Sequence, residues 1–168
     1  EGGGMLTRIG NNCLLMVGAH VAHDCIVDDH VILVNNATLG GHVHVGEWGI
    51  IGGLSAIHQF VRVGKHAMIG GMSGVEQDVI PYGSVTGNRA RLQGLNIVGL
   101  RRRSFSRDDI HEMRKAYRLI FAAEGTMAER LEDVAEDFGN NEAVMDILQF
   151  IRANTSRAIC QPAMDDAA

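Results

Sequence analysis

Cysteine pairs, an excess of basic charge and long apolar runs are all missing, and each absence removes a class of protein. The 168 residues hold three cysteines, Cys13, Cys25 and Cys160, which form neither a CxxC pair nor an even disulfide framework. Reduced thiols in a cytosolic compartment follow, and a structural zinc is disfavoured. The net charge of −5 argues against a general nucleic-acid binder, because contacts to backbone phosphates need a basic surface. No apolar run approaches the ~18 residues of a membrane span, and nothing at the beginning has the form of a signal peptide. A soluble, cytoplasmic protein is expected, with one good core and at most a small second unit.

What basic charge there is lies unevenly. Nine of the 15 Lys and Arg fall in residues 89–118 (Arg89, Arg91, Arg101, Arg102, Arg103, Arg107, Arg114, Lys115, Arg118). That stretch is either a solvated helix face or a local site for an anionic ligand or an acidic partner.

The dominant pattern is a repeat of six. Ile9, Leu15, Val21, Val27, Leu33, Leu39, Val45, Ile51, Ile57, Val63, Ile69 and Val75 are aliphatic without a miss. Four positions after each stands a small or compact residue, from Cys13, Ala19 and Cys25 to Ser73 and Val79, and glycine directly follows six of the aliphatics. A period of six matches neither a helix nor an alternating strand. It is the signature of a parallel β-helix in which each hexad supplies one short strand and one corner. Three hexads close a triangular coil, so residues 9–80 hold four coils, with the aliphatics stacked along a narrow axis. Glycine, 21 in all, is expected at the corners because it accepts positive φ. The pattern does not settle the handedness, since parallel crossovers are usually right-handed.

The rhythm stops after Pro81. Four regions are expected: β-helix coils over 1–80, an irregular connecting loop over 81–105, a helical domain over 106–158 and a disordered tail over 159–168. Within the third, Ser106 with Asp109 starts one helix, Thr126 with Glu129 forms a capping box for a second, and "NNEAVMDILQFIRAN" reads as a third. Met113, Met127 and Met145 are expected core fillers.

Seven of the eight histidines lie inside the repeat: His20, His23, His30, His42, His44, His58 and His66. A repeat that keeps apolar residues inside needs none of them. At 18 residues per coil, His23, Gly41 and Gln59 stack in one column, flanked by His42 and His58. Three readings of His23 stand. As a general base it uses an imidazole that titrates near neutrality, with Asp24 fixing its tautomer. As a metal ligand across a subunit interface it lacks histidines at Gln59 and Val63. As plain surface polarity it has no reason to lie beside Gly41 and Gln59. Adjacent strand residues point oppositely, so Asp24 reaches His23 only if the chain bends there. A bare backbone at Gly41 would let its N–H approach a developing oxyanion.

The strings "LLMVGAHVAHDCIVDDHVILVNNATLGGHV", "IIGGLSAIHQFVRVGKHAMIGGMSGVEQDV" and "GNRARLQGLNIVGLRRRSFS" resemble the UDP-N-acetylglucosamine O-acyltransferases that begin lipid A biosynthesis. The resemblance spans residues 3–157. It implies a homotrimer of left-handed β-helices with C-terminal helices and active sites in clefts between subunits. The implied reaction moves a 3-hydroxyacyl chain from acyl carrier protein to the 3-hydroxyl of UDP-N-acetylglucosamine, with no metal or other cofactor.

By the resemblance His23 matches the general base, Asp24 the residue that orients it, and Gly41 the donor of an N–H to the thioester oxyanion. His20, His42, His58 and Gln59 match the nucleotide-sugar site, and Asn96, Arg102 and Arg103 match contacts to uridine and phosphate, where guanidinium forks suit a pyrophosphate. Met68 and Gly71 match the region that measures acyl length, and a glycine there implies a longer chain. Cys25 is read as packing, so direct transfer is expected over an acyl-enzyme.

Two positions depart from the family pattern: Val98 stands where an acidic residue is expected, and Ser104 replaces a glycine before "FS". Family members carry further coils ahead of these, so the chain reads as a C-terminal part. An N-acyltransferase acting on an amino-sugar nucleotide and a noncatalytic trimeric scaffold are the alternatives. "HQF" and "RRRSFS" fit the O-acyltransferase better.

Overall fold

The computed structural model describes residues 4–153 and 156–163. Two-residue strands recur every six residues from Arg8–Ile9 to Gly74–Val75 and form three parallel sheets. The first face carries Arg8–Ile9, Ile26–Val27, His44–Val45 and Arg62–Val63; the second begins with Leu14–Leu15 and ends its hexads with Met68–Ile69; the third runs from His20–Val21 to Gly74–Val75. Every pairing is offset by 18 residues, as Arg8 opposite Ile26 and His20 opposite Thr38 show. This is the parallel β-helix that the sixfold pattern predicts.

The inside follows the pattern too. Val27, Leu33, Leu39, Val45, Ile51 and Ile69 are wholly buried, as are the compact residues Cys25, Val31, Ala37, Val43, Val61 and Ala67. Inward polar groups find backbone partners: the Cys25 thiol donates to the Gly40 carbonyl at 3.1 Å and the Ser55 hydroxyl to the Gly70 carbonyl at 2.9 Å. Burial also raises the Cys25 thiol pKa, so it packs rather than reacts, as expected. Ile9 and Leu15 remain 44 % and 40 % exposed because no coil lies beneath them among the described residues.

The corners correct the reading of glycine. From Ile9 to Ile69, positive φ falls on the third residue after each aliphatic, and apart from Gly18 these are not glycines: Asn12, Asp24, His30, Asn36, His42, Trp48, Leu54, Phe60, His66 and Met72 have φ between 54° and 67°. Each is disfavoured by roughly 1–2 kcal/mol in isolation. From His30 onward the stack holds them, because each donates its N–H to the corner carbonyl of the coil below, as His42 to His23 and Phe60 to Gly41, both at 3.0 Å. The glycines directly after the aliphatics serve close approach instead. A Cβ on Gly46 would come within 2.6 Å of the Lys65 nitrogen, and one on Gly40 within 2.8 Å of the Gln59 nitrogen.

Residues 81–105 are more regular than expected. Gly83–Thr86 continues the second face in parallel over Met68–Ile69, and Arg91–Leu95 closes it as an antiparallel hairpin. A short helix, α1 (Ile97–Arg102), follows, capped by Asn96. The turn-rich string gave no strand signal because the existing sheet edge imposes the strand. The three expected helices are α2 (Arg107–Ile120), α3 (Met127–Phe138) and α4 (Glu142–Arg152). Ser106 caps α2, Thr126 and Glu129 form the capping box of α3, and Asn141 caps α4. Met113 is fully buried, with Met127 and Met145 packed against the same core.

The tail also needs correction. Ile159 bridges Asp78 and Pro162 bridges Leu92, while Cys160 is 1 % exposed. Residues 159–163 therefore return onto the last coil, held by backbone bonds that composition does not reveal. The rest of the expected tail, 164–168, lies outside the described residues. Among the described residues no helix is long and apolar enough to cross a membrane.

Candidate active site

The corner between the third and first faces gathers most of the predicted residues. His23 occupies its middle position and Asp24 the positive-φ position, with φ of 59°. That backbone turn supplies the bend the dyad requires, and Asp24 Oδ2 lies 2.8 Å from His23 Nδ1. One coil on, His42 sits over Asp24 with its Nε2 3.8 Å from the same oxygen, and its ring meets the His23 ring edge-on at 5.1 Å. Phe60, a further coil on, stacks on His42 at 4.6 Å.

Charge and tautomer follow from this geometry. The hydrogen bond from His23 holds the Asp24 carboxyl below its usual range, helped by the nearby His42 and opposed by partial shielding from water. An ionised carboxylate only accepts, so His23 donates through Nδ1–H and keeps the lone pair on Nε2. Asp24 Oδ1 is buried with no partner among the described residues.

Above His23 lies Gly41, where a Cβ would stand 2.7 Å from His23 Nε2. Any side chain at 41 would therefore push the imidazole away. The ladder at this corner uses the His42 and Phe60 N–H groups, and the Gly41 N–H is outside it. The corner thus offers a lone pair and a backbone donor close together, the pair needed for acyl transfer by a base and an oxyanion donor. His23, Asp24 and His42 are also near enough to share a cation, but an ion on Nδ1 would displace the proton held by Asp24.

The other predicted residues divide among three places. His20 is exposed on the third-face strand leading into this corner, and His58 and Gln59 are exposed at the same corner two coils on. Asn96, Arg102 and Arg103 stand instead at the corner between the first and second faces. There the Asn96 amide oxygen accepts the Gly99 N–H at 3.0 Å and its NH2 donates to the His66 carbonyl at 3.0 Å. Both ends of the amide are thus engaged within the chain. Arg103 lies over the Trp48 ring at 5.0 Å and donates to the Trp48 carbonyl at 3.2 Å, while Arg102 is exposed at the end of α1. Met68 projects from the second face, and Gly71 is exposed at the third corner, where a Cβ would lie 3.2 Å from the Gly53 carbonyl oxygen.

Sequence reasoning missed two neighbours. Phe60 is one coil beyond His42, so the arithmetic that stacks Gln59 on Gly41 would have found it. Arg157 has no such signal. Its guanidinium reaches His58 Nδ1 at 2.8 Å and the Gln59 carbonyl at 2.9 Å, from 99 and 98 residues away.

Residues 78–160 match the second domain of the UDP-N-acetylglucosamine O-acyltransferases, and residues 6–41 match the bacterial transferase hexapeptide repeat. An acyl-[acyl-carrier-protein]–UDP-N-acetylglucosamine O-acyltransferase from Caulobacter vibrioides is 56% identical over 94% of this chain and 60% of its own. A protein of the same name from Methylobacterium radiotolerans is 56% identical over 96% of this chain and 60% of its own. The solved UDP-N-acetylglucosamine acyltransferase from Campylobacter jejuni is 40% identical, with a TM-score of 0.89 over 96% of this chain and 62% of that one. The Arabidopsis enzyme is 42% identical, with a TM-score of 0.87 over 91% of this chain and 56% of that one. The chain thus spans about three fifths of the length of the curated relatives it matches, and it shares with them the left-handed parallel β-helix followed by C-terminal helices. With the repeat, the His23–Asp24 dyad under a bare Gly41 and these likenesses together, the chain belongs to the UDP-N-acetylglucosamine O-acyltransferase family.

Proposed function

We propose that the protein transfers a 3-hydroxyacyl chain from acyl carrier protein to the 3-hydroxyl of UDP-N-acetylglucosamine. The observation that carries this reading is the His23–Asp24 hydrogen bond of 2.8 Å directly beneath Gly41. His23 Nε2 takes the proton from the sugar hydroxyl, and the alkoxide oxygen attacks the thioester carbonyl carbon. The Gly41 N–H stabilises the oxyanion. When the tetrahedral intermediate collapses, the C–S bond breaks and the leaving thiolate takes the proton from the imidazolium. Asp24 keeps Nδ1 protonated and stabilises the imidazolium in between. A positioned base contributes about 10²–10⁴-fold and one oxyanion donor about 10²–10³-fold. These residues complete the cycle without a metal or other cofactor and without a nucleophilic cysteine.

The nucleotide-sugar site is built from more than one copy. His20, His42, His58 and Gln59 line one corner of the prism, whereas Asn96, Arg102 and Arg103 stand at another and Met68 and Gly71 near the third. Three corners of one triangular coil point away from one another, so one cleft reaches two of these sets only when a second copy supplies the other. A homotrimer satisfies that for all three clefts alike. Arg102 is then the exposed guanidinium for the pyrophosphate, and Asn96 acts by shaping α1 rather than by free amide contacts. The exposed Gly71 leaves room for a longer acyl chain. The basic stretch around Arg107, Arg114 and Arg118 suits an acidic carrier protein, and the unpaired thiols fit a cytoplasmic setting.

The test is a mass-spectrometric transfer assay with 3-hydroxyacyl carrier protein and UDP-N-acetylglucosamine on the complete natural chain carrying this sequence. Acylated UDP-sugar from the parent and none from His23→Ala is the expected result. No product with this acceptor, together with product from an amino-sugar nucleotide, would overturn the choice of acceptor. No product with either would return the chain to the scaffold reading.

A further inference from the structure

We propose that Arg157 is a positioning residue, held over the coil by residues 158–161 on its C-terminal side, that keeps the His58 ring in its Nε2–H form. The ligand identity used below rests on the function proposed above, but the positioning itself does not.

The placement of Arg157 is firm on its C-terminal side. The Asp78 N–H donates to the Ala158 carbonyl at 2.9 Å, the Cys160 N–H to the Asp78 carbonyl at 2.8 Å and the Leu92 N–H to the Gln161 carbonyl at 3.0 Å. Cys160 is buried and its thiol donates to the Ala90 carbonyl at 3.2 Å. Asp78, with no exposure, is itself fixed by the Arg62 Nε at 2.7 Å. The returning segment is thus stitched to the last coil and the hairpin, and Arg157 leaves it toward the corner that holds His23 and Gly41.

At that corner a single terminal guanidinium nitrogen, Nη2, lies 2.8 Å from His58 Nδ1 and 2.9 Å from the Gln59 carbonyl oxygen. His58 Nδ1 also lies 3.2 Å from that oxygen, so two tautomers compete. A guanidinium has donors only. A proton on Nδ1 would face the Arg157 N–H across 2.8 Å, whereas a lone pair there accepts it, and the second Nη2 hydrogen satisfies the Gln59 carbonyl. The proton of the neutral ring is therefore on Nε2, which faces out from an exposed corner.

The consequence is a fixed donor one coil beyond Gly41. An Nε2–H suits an oxygen acceptor, whether a hydroxyl, an amide carbonyl or a phosphate, and all three occur on a nucleotide sugar. Arg157 acts through His58 and never touches the reacting atoms, so its loss should weaken binding rather than the chemical step.

The experiment is nitrogen-15 NMR of histidine-labelled complete chain, with His58 assigned by His58→Gln, beside UDP-N-acetylglucosamine titrations of the same samples. The parent should show His58 protonated on Nε2, Arg157→Gln should average the two ring nitrogens, and Arg157→Lys, which keeps one donor, should retain much of the parent form. Losing one oriented hydrogen bond should weaken sugar-nucleotide binding about three- to tenfold, raise KM with little change in kcat, and add little in a His58→Gln background. An Nδ1–H ring in the parent, identical His58 spectra in parent and Arg157→Gln, or unchanged affinity despite an altered ring would each overturn the proposal. If the ring responds as expected while the parent binds no UDP-N-acetylglucosamine, the positioning role stands and the assignment of the ligand falls.

Discussion

Two corners of the same prism use the same device to different ends. At the corner between the third and first faces, the positive-φ residues Asp24, His42 and Phe60 stack in a column. At the corner between the first and second faces, His30, Trp48, His66 and Tyr82 do the same, with ring centroids 4.1, 6.4 and 5.3 Å apart. The first column starts with a carboxylate and stays open to water along one side, so His23 and His42 keep Asp24 as a partner. The second is sealed by Phe105 and Arg103. Burial there, with the charges of Arg103 and Lys65, pulls the His66 pKa down to about 4, and its Nδ1 has no partner among the described residues. A histidine in this repeat is thus open to solvent or sealed according to what covers its corner, and the hexad position does not decide it.

Breaking the open column should give the largest effect. His23→Ala removes the proposed base, and transfer should fall by about 10²–10⁴-fold with an unchanged melting temperature, because the ring is exposed and buries little. A parallel loss of stability in thermal unfolding would make His23 structural, like its counterparts at the other corner. Next comes Gly41→Ala, whose Cβ would stand 2.7 Å from His23 Nε2. Displacing the imidazole should lower kcat by about 10²-fold, a size comparable to losing an oxyanion donor, and near-parent activity would show that the ring has room to move aside.

The sealed column should respond in stability instead. Trp48→Ala removes the ring that lies between His30 and Arg103 and should lower unfolding free energy by about 2–3 kcal/mol, below the 3–5 typical of fully buried aromatics because Trp48 is only half-buried. Chemical denaturation reads this directly, and a wild-type midpoint would mean the stack holds little.

The smallest effect is a pH dependence. His66 has its folded pKa depressed to about 4 from 6.5, so the unfolded chain binds the extra proton between those values. Stability should be intact above about pH 6.5 and fall as pH drops toward 4, by about 1–2 kcal/mol once screening of this half-buried group is allowed for. His66→Gln should flatten that slope, and an unchanged slope would assign the acid sensitivity elsewhere.

The fold was legible because its signal is repeated. One aliphatic every six residues, twelve times over, constrains the coils more tightly than any single motif, and the helix caps at Ser106 and Thr126 are local enough to read directly. The hairpin at 83–95 and the return of 159–163 were not legible, because both strands exist by bonding to an edge already built, as with Leu92 to Gln161. For the site, the column arithmetic placed His23, Gly41 and Gln59 together. It could not say whether Asp24 turned toward His23, since that depends on a positive φ at a residue that is not glycine.

The sequence by itself determined the coil, its inward residues, the stacking of positions 18 apart and the family. The first three follow from periodicity, which survives any local detail, whereas the family follows from the particular strings around His23, Gln59 and Arg102. Only the tertiary structure decided which corner is open, that Asn96 and Arg103 are held within their own chain, and that Arg157 crosses 99 residues to reach His58. Each of those depends on contacts between segments distant in sequence, and such contacts leave no periodic trace.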